Sequence, residues 1–432
     1  MPTLPHRRSL LWLGTVAMLL VASCTGELGR ADPSPSAATS SPTPGEAGAS
    51  DVIRLQPPPG GSFEVRGRYP RTTSRCVDAQ QPRLAARYPG RLTIHRQADG
   101  SLELTVRLPF ERYLEGIAEV PPTWPRAALE AQAVAARSYA LATTGWSGEE
   151  GETLDTPICS TTACQVYRGI PLGGRRHARP WYRAVRATDG EVLLHEGRPA
   201  ETVYFSTSDG RTYGNDEVFG SSPLPYLRGV IERDDGVSPT SHWSARIPLH
   251  DLTTFLSTAG EWPGRRPIEE VRGDGDRVTV SGGGRSRVLE GSTFRAAVNS
   301  WAPCLRPDRY PTGALPVTIP SRWMTIGSSG TAAVATGRGW GHGAGMVQWG
   351  AYGKARHGWS AERILAFYYG GLQPEPFPEP GLIHVEITGG LSSLRIVPSD
   401  PGASLAGEAL GTEPIVILGG GELTVREAGS PP

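Results

Sequence analysis

The chain has 432 residues, with 43 basic and 43 acidic side chains and a formal net charge of zero. Without a basic field it cannot release counterions from a phosphate backbone, so nucleic acid is excluded as an expected partner. Its 55 glycines and 40 prolines indicate many turns and a β-rich fold instead of a helical bundle.

Residues 1–23 have the pattern of a signal peptide. Arg7 and Arg8 supply positive charge, and the apolar run Leu10–Ala22 is shorter than the roughly 20 residues of a membrane-spanning helix. The run ends in Val21-Ala22-Ser23-Cys24, which resembles the bacterial lipobox and predicts Cys24 as the lipidated first residue of the mature protein. The alternative is an ordinary secreted protein in which Cys24 has no such role.

The next segment, residues 24–51, is mostly Pro, Ser, Thr, Ala and Gly. This composition cannot bury a core and predicts a disordered tether. The folded part therefore begins near Val52 and is long enough for one large or two medium domains. We expect an extracytoplasmic protein that is anchored to the cell membrane by its lipid.

An even number of cysteines remains in the folded part: Cys76, Cys159, Cys164 and Cys304. Outside the cytoplasm this predicts two disulfides, with three possible pairings. The short spacing favours Cys159–Cys164, which leaves Cys76–Cys304. The alternative for the close pair is a zinc site, which needs two more ligands. The nearest downstream histidines are His177 and His195. We expect no cofactor, with zinc at Cys159 and Cys164 as the minor alternative.

The first clear elements in chain order are two strands. Arg91–His95 and Leu102–Val106 alternate apolar with polar residues around Asp99-Gly100, which predicts a hairpin. A segment from Phe110 to Val120 follows, and any helix in it ends before Pro121.

The best-defined helix is predicted over Arg126–Thr143. Thr123 can cap it, Pro125 fits its first turn and Gly145 ends it. Alanine dominates this segment, so a neighbouring element can approach it closely.

Further along, the pattern changes to short strands at Glu191–His195 and Thr202–Phe205, followed by turn residues at Ser206–Gly210. Residues 247–300 have the weak pattern of a small α+β insertion. Two helices, divided by Gly358, are predicted over Met346–His357 and Ser360–Tyr369. Residues 374–432 predict a small β-rich C-terminal extension. The fold class is therefore α+β: a β-rich domain with a few helices.

One carboxylate stands apart from the others. Glu119 is flanked by Ile117, Ala118, Val120 and Pro121, at the junction of two predicted elements. An acid among apolar groups has its charged form destabilised, so its pKa rises and it can donate a proton near neutral pH. The alternative is a surface acid in an exposed loop.

A glycine-rich segment, Gly337–Ala351, has glycine at every second position around His342. Such spacing requires positive φ angles or a close approach to the backbone. Because Trp340, Gln348 and Trp349 are interleaved with the glycines, the segment is not a flexible linker. It predicts a tight loop in a sugar-binding cleft, or else a buried turn with a satisfied histidine.

Four segments in this order resemble the stage II sporulation protein D family, which also contains the amidase-enhancer proteins. They are Tyr113-Leu-Glu-Gly-Ile-Ala-Glu-Val-Pro121, Ala128-Leu-Glu-Ala-Gln-Ala-Val-Ala-Ala-Arg-Ser-Tyr139, Cys164-Gln-Val-Tyr167 and Gly339-Trp-Gly-His-Gly-Ala-Gly-Met-Val-Gln-Trp-Gly-Ala351. The resemblance runs from about Leu108 to Leu372 and implies a catalytic domain over residues 52–373.

The resemblance implies a peptidoglycan lytic transglycosylase that cuts peptide-free glycan strands with Glu119 as its single acid and base. A cell-wall amidase is a further implied partner. Some members bind zinc through paired cysteines with interspersed histidines, and the lack of a histidine between Cys159 and Cys164 favours the disulfide. Neutral donors and one aromatic suit a sugar, and the expected substrate-binding residues are Gln132, Arg137, Gln165, Tyr167, Ser206, His342 and Gln348.

Two other functional classes are compatible with these residues. The first is a module that binds glycan or activates an amidase without cutting, for which Glu119 is dispensable. The second is a nucleophilic hydrolase that uses Ser206 or Ser208 with His342, although no Gly-x-Ser-x-Gly elbow is present.

If Cys24 carries the lipid anchor, its replacement should change how the protein is attached to the membrane. A diacylated cysteine anchors a protein stably, so Cys24→Ala should release the chain from membranes or block its maturation. Fractionation and mass measurement of the processed N-terminus test this. A variant that stays membrane-bound and normally processed contradicts the lipobox assignment.

Overall fold

A computed structural model of the chain describes residues 51–70, 84–149, 154–170, 176–264, 266–310 and 318–427. The predicted signal peptide, Cys24 and Cys76 lie outside these residues. The architecture is α+β, as predicted. Among the helices of the described ranges, none has the length and apolar character that a membrane crossing requires.

The strands, in chain order, are β1 Val52–Gln56, β2 Ser62–Arg68, β3 Ala85–Pro89, β4 Arg91–Arg96, β5 Leu102–Pro109, β6 Leu154–Cys159, β7 Glu191–His195, β8 Arg198–Pro199, β9 Tyr204–Phe205, β10 Trp243–Pro248, β11 Glu270–Asp274, β12 Arg277–Gly282, β13 Arg285–Glu290, β14 Met324–Ser329, β15 Ala332–Gly337, β16 Met346–Val347, β17 Pro374–Pro376, β18 Leu382–Leu391, β19 Ser393–Pro398, β20 Ser404–Leu405, β21 Glu408–Ala409, β22 Ile415–Leu418 and β23 Thr424–Glu427. The helices are α1 Phe110–Glu115, α2 Arg126–Thr144, α3 Arg179–Ala187, α4 Asn215–Phe219, α5 Leu249–Thr258, α6 Gly291–Leu305, α7 Gln348–Arg356 and α8 Ala361–Tyr368.

Two sheets combine residues from both ends of the described chain. The seven-stranded sheet has the order β21-β20-β1-β4-β5-β18-β6, and the five-stranded sheet has the order β23-β22-β19-β2-β3. The predicted hairpin is β4 and β5, whose turn includes Gly100 at a φ of 81°. β18 lies between β5 and β6, and β19 pairs with β2. The residues expected as a C-terminal extension therefore complete sheets that the N-terminal strands begin.

The alanine-rich helix α2 lies between two hydrophobic cores. It packs against α3, α7, α8 and β7. One face contributes Ala128, Ala133 and Ala136 to the core of the two large sheets, and another contributes Ala131 and Ala135 to a smaller core that includes α8. Small side chains on both faces allow this close packing, as the sequence predicted.

The ends of α2 agree with the sequence in part. Gly145 ends the helix in the left-handed conformation, at a φ of 72°. The N-cap is Pro125, and no side chain caps the helix, so the expected cap at Thr123 does not form.

A second unit interrupts the chain between β10 and β15. Its six-stranded sheet has the order β10-β15-β14-β11-β12-β13, and its own core is formed with α5 and α6. The α+β insertion expected over residues 247–300 lies within it, and the unit itself runs from Trp243 to Gly337.

Candidate active site

Glu119 lies in a short stretch of backbone that pairs with residues 166–168. The Ala118 amide donates to the Val166 carbonyl at 2.9 Å, and the Arg168 amide donates to the Gly116 carbonyl at 2.9 Å. Between these two bonds, the Val166 amide donates to Oε1 of Glu119 at 2.5 Å. The pairing thus fixes the position of the partly buried carboxyl group.

The partner stretch is itself held by a disulfide. Cys159, at the end of β6, is bonded to Cys164, with their Cα atoms 5.6 Å apart. The Tyr167 amide donates to the Ser160 carbonyl at 3.1 Å. The disulfide therefore closes the loop that leads directly into Val166. Cys304 is also disulfide-bonded, and its predicted partner Cys76 lies outside the described residues.

Burial raises the pKa of Glu119 from its ordinary 4.5 to about 7. Hydrogen bonds from Val166 and Gln348 and the charge of Arg168 oppose this rise without cancelling it. A carboxyl group of that pKa keeps a proton in a large fraction of molecules at neutral pH. A raised pKa is what the apolar residues on either side of Glu119 in the sequence predict.

Two side-chain amides extend from this acid, since Gln348 is its hydrogen-bond partner and Gln132 is the partner of Gln348. Nε2 of Gln348, the first residue of α7, donates to Oε1 of Gln132 on α2 at 3.3 Å. Nε2 of Gln132 is buried and, among the described residues, has no hydrogen-bond partner. A buried donor in this state favours an acceptor from a ligand. Gln348, which hydrogen-bonds to Glu119, thus links the acid to Gln132.

An aromatic cluster adjoins the same residues. The ring of Trp349, next to Gln348, lies with its centroid 4.9 Å from that of Trp124 and 5.3 Å from that of Tyr352. Trp124 follows Glu119 by five residues, so the acid and the cluster share one short stretch of chain. Apolar ring surfaces beside hydrogen-bonding amides are the usual composition of a sugar site.

Arg137 is placed differently from the expectation. Its side chain is fully buried, forms ion pairs with Glu111 at 2.9 Å and Glu379 at 2.5 Å, and donates to the carbonyl of Val185. Burial raises the pKa values of both glutamates. The guanidinium is therefore paired inside the protein, and no part of its side chain is exposed for the substrate contact that the sequence predicted.

Gln165 and Tyr167 also belong to the core. Gln165 donates to the Tyr113 hydroxyl and accepts from the Tyr204 hydroxyl, both at 2.7 Å. The Tyr167 ring stacks on Tyr113 with centroids 5.2 Å apart. Both side chains are buried. The expected substrate contact of Gln165 is replaced by internal hydrogen bonds, and Tyr167 supports the strand beside Glu119.

Ser206 is partly buried, and its hydroxyl lies 3.2 Å from that of Thr207. Its carbonyl accepts from the Trp349 amide at 3.0 Å, which ties it to the aromatic cluster. Ser208 instead donates to Asp235 at 2.8 Å. Neither hydroxyl is hydrogen-bonded to His342 within the described residues, so the geometry gives no support to the nucleophilic-hydrolase alternative.

His342 has both ring nitrogens engaged by backbone. Nδ1 accepts from the Ala344 amide at 3.1 Å, so Nε2 carries the proton and donates to the Tyr204 carbonyl at 2.9 Å. Burial lowers the pKa of His342 to about 4, so the ring is neutral at pH 7. This geometry favours the satisfied histidine over the expected substrate contact, because no ring nitrogen is left for a sugar.

The glycine-rich loop is shaped by contacts that exclude a Cβ. Gly345 has a φ of 74°, and a Cβ there would meet the Val203 carbonyl oxygen at 1.9 Å. Immediately after it, β16 pairs in parallel with β9. The loop therefore delivers Gln348 to Glu119 only because glycine lets it pass close to Val203.

The residues considered above as zinc ligands do not form a zinc site while Cys159 and Cys164 are disulfide-bonded. Both sulfurs of Cys159 and Cys164 are joined to each other, so neither is a thiolate ligand. His195 packs on the Tyr226 ring with centroids 4.9 Å apart, and His177 is exposed.

Sequence reasoning missed the backbone amide of Val166 and the tyrosines around the acid. Burial, and to a smaller extent the charge of Glu119, raises the pKa values of Tyr139 and Tyr204. A backbone donor has no residue signature, so only the fold reveals it.

Comparison with known proteins gives consistent similarities. A family model described as Stage II sporulation protein matches residues 98–195. An uncharacterized protein of Brachyspira hyodysenteriae is 29% identical over 269 residues, which are 61% of this chain and 66% of that protein. Stage II sporulation protein D of Bacillus subtilis is 29% identical over 308 residues, 66% of this chain and 79% of that protein.

The amidase enhancer of Bacillus subtilis is 27% identical over 290 residues, 59% of this chain and 38% of that protein. For this protein and the Brachyspira protein, the similarity spans less than two thirds of the relative's own length. The matched family segment contains Glu119, Gln132 and Val166.

The loop geometry predicts unequal effects of two glycine substitutions. Gly358 has a φ of 80° and open space around it, so Gly358→Ala should cost about 1–2 kcal/mol of stability through its backbone conformation alone. Gly345→Ala adds a collision with Val203 and should cost more. Thermal denaturation of both variants measures this, and equal losses contradict the close approach.

Proposed function

Because the chain belongs to the family of stage II sporulation protein D and the amidase enhancer, we propose that it acts in the cell wall as a lytic transglycosylase. Its substrate is the glycan strand of peptidoglycan, free of peptides. The observation that carries the proposal is Glu119, whose pKa of about 7 leaves it able both to donate and to accept a proton at neutral pH.

The reaction needs one acid. Protonated Glu119 gives its proton to the bridging oxygen as the bond from that oxygen to C1 of the muramic acid breaks, and positive charge develops at C1. The ionised Glu119 then takes the proton of the 6-hydroxyl of the same sugar while that oxygen bonds to C1. The products are a free hydroxyl on the departing sugar and a 1,6-anhydro end, and Glu119 is protonated again.

The neighbours of Glu119 fit this scheme. Among the described residues its hydrogen-bond partners are the Val166 amide and Gln348, and neither is an acid that could activate water. The Gln132 amide offers a free donor to the N-acetyl group of a sugar. Trp349 and Trp124 supply apolar surface for its ring.

The similarity to the amidase enhancer supports a second candidate, a module that holds glycan or activates an amidase without cutting. Such a module does not need the raised pKa of Glu119. Because an acid in a desolvated position destabilises the ionised protein, its presence favours the enzyme.

The proposal includes location and partners. The chain acts outside the cytoplasm, held to the membrane by a lipid on Cys24, with peptidoglycan as its partner and a cell-wall amidase as a second one. No nucleic acid and no cofactor take part.

Replacing Glu119 by glutamine tests the chemistry. Glu119→Gln keeps the shape and removes the proton, so cleavage of peptide-free glycan should fall by about 10²–10⁴-fold while glycan binding persists. Mass spectrometry of the wild-type products should find 1,6-anhydro ends. Because the folded pKa is raised, the variant should also melt at a higher temperature than the wild type at pH 8, where the native acid is ionised at a cost.

Glu201→Gln is the matched control, since the charge of this exposed carboxylate, like that of Glu119, raises the pKa of Tyr139. Its cleavage rate should equal that of the wild type. Full activity of Glu119→Gln supports the non-catalytic module, whereas reducing ends on the products indicate attack by water.

The pKa of Glu119 also predicts a pH profile. The acid must be protonated at the start of each cycle, so kcat/KM should be level below pH 7 and fall by about tenfold per unit above it. Circular dichroism over the same range separates this from unfolding. A rate that rises steadily from pH 6 to pH 9 is incompatible with Glu119 as the acid.

A further inference from the structure

A cavity of about 500 Å³ opens where the second unit meets the turn that follows β9. Asp209 of that turn lines it, together with Trp243 and Trp323 of the second unit. Asp209 also lines another cavity, of about 530 Å³, so its carboxylate stands where two concave surfaces meet. The lining includes neither Glu119 nor the two amides, Gln132 and Gln348, of the candidate active site.

Two polar atoms of this lining are buried without partners among the described residues. They are Nε1 of Trp243, whose residue is only 6% exposed, and Oδ1 of Asp209. One is a donor and the other an acceptor. Buried polar groups in native proteins are nearly always satisfied, and leaving them unpaired is unfavourable. The pair therefore points to a ligand with an acceptor and a donor of its own.

The lining is held in place by contacts between the two units. The Tyr213 hydroxyl donates to Oδ2 of Asp209 at 2.6 Å. The Tyr213 ring stacks face to face on Trp323, with centroids 4.3 Å apart and planes 6° apart. Arg211 and Arg322 lie over the Tyr213 and Trp323 rings at 4.6 and 4.9 Å. Asp209 and Trp323 thus form one fixed wall of the cavity.

The charge around Asp209 favours a neutral ligand. Arg338 lines the same cavity, with Nη1 3.7 Å from where a Cβ of Gly210 would stand, and Arg211 follows directly. Asp274, the other carboxylate of the lining, accepts from the Thr325 hydroxyl at 2.9 Å. With two guanidinium groups nearby, Asp209 suits a hydroxyl donor better than a further cation.

We propose that this cavity binds an N-acetylhexosamine unit of a glycan strand. A sugar hydroxyl donates to Oδ1 of Asp209, and the N-acetyl carbonyl accepts from Nε1 of Trp243. This rests on the proposed function for the identity of the polymer. It adds a second glycan-binding site beside the glycine-rich loop, whose Gly343 lies against both Trp323 and Tyr213.

The test uses the full chain with Glu119→Gln, so that no cleavage occurs, and tri-N-acetylchitotriose as the probe in isothermal titration calorimetry. Trp243→Phe removes the indole N–H group together with the five-membered ring that carries it, and should weaken binding at one of two sites by roughly three- to tenfold. Asp209→Asn puts a donor where the acceptor stood and should weaken it by about tenfold or more, because hydrogen bonds to charged acceptors are stronger.

Trp262→Phe is the matched control. Trp262 is buried in the same unit, but its Nε1 donates to the Arg266 carbonyl at 2.8 Å. Both variants lose buried ring surface and should lower the melting temperature, but only Trp243→Phe should lower the affinity for the oligosaccharide.

Three results overturn the proposal: a single binding site in the parent protein, unchanged affinity in both Trp243→Phe and Asp209→Asn, or binding of free lysine at this cavity in place of the oligosaccharide. Failure here is distinct from failure of the proposed function. The proposed function is tested by cleavage in the chain with Glu119 intact, whereas this proposal is tested by oligosaccharide binding in the chain with Glu119→Gln, where no cleavage occurs.

Discussion

The hydrogen bond from the Val166 amide to the Glu119 carboxyl group is the interaction on which the site depends. It exists because residues 116–119 and 166–168 pair as two short extended stretches. That pairing needs α1 to end at Glu115, and it needs the Cys159–Cys164 disulfide to close the loop before Val166. The other groups that act on the acid, Gln348 and Arg168, are placed around the bonded pair of Glu119 and Val166.

Two opposing effects set the acid's protonation. Burial disfavours the carboxylate, and the Val166 amide, Gln348 and Arg168 favour it. If the hydrogen bonds dominated, Glu119 would be ionised at neutral pH, and if burial acted alone its proton would be held too tightly to leave. The balance near neutrality therefore depends on two separate parts of the chain, since Val166 and Arg168 belong to one stretch and Gln348 begins α7.

The sequence alone identified the features that are local. Glycine at the end of α2, alternation in β4 and β5, and the apolar flanks of Glu119 are each determined by neighbouring residues, and each is present in the structure. The pairing of β18 between β5 and β6 is not local, since it joins residues almost 300 positions apart in the chain, and no pattern within β18 specifies its partners.

The polar residues of the site were harder to assign for the same reason. Arg137, Gln165 and His342 have the chemistry of binding residues, but whether such groups face a cleft or one another depends on which partners the fold brings to them. Glu379, which pairs with Arg137, lies more than 200 residues away in sequence. The pair Gln132 and Gln348 differs from these three residues, because the Nε2 donor of Gln132 has no hydrogen-bond partner among the described residues after folding.

The position of β18 has a consequence for the order of folding. It is an interior strand of the seven-stranded sheet, and the strand it pairs with, β5, leads directly into α1 and Glu119. During synthesis, the first 380 residues emerge while the edge of β5 that later pairs with β18 is still unpaired. Contacts of such long sequence separation form slowly. Glu119 therefore reaches the geometry described above only at the end of this process, so an incomplete chain carries the residues of the site without their arrangement.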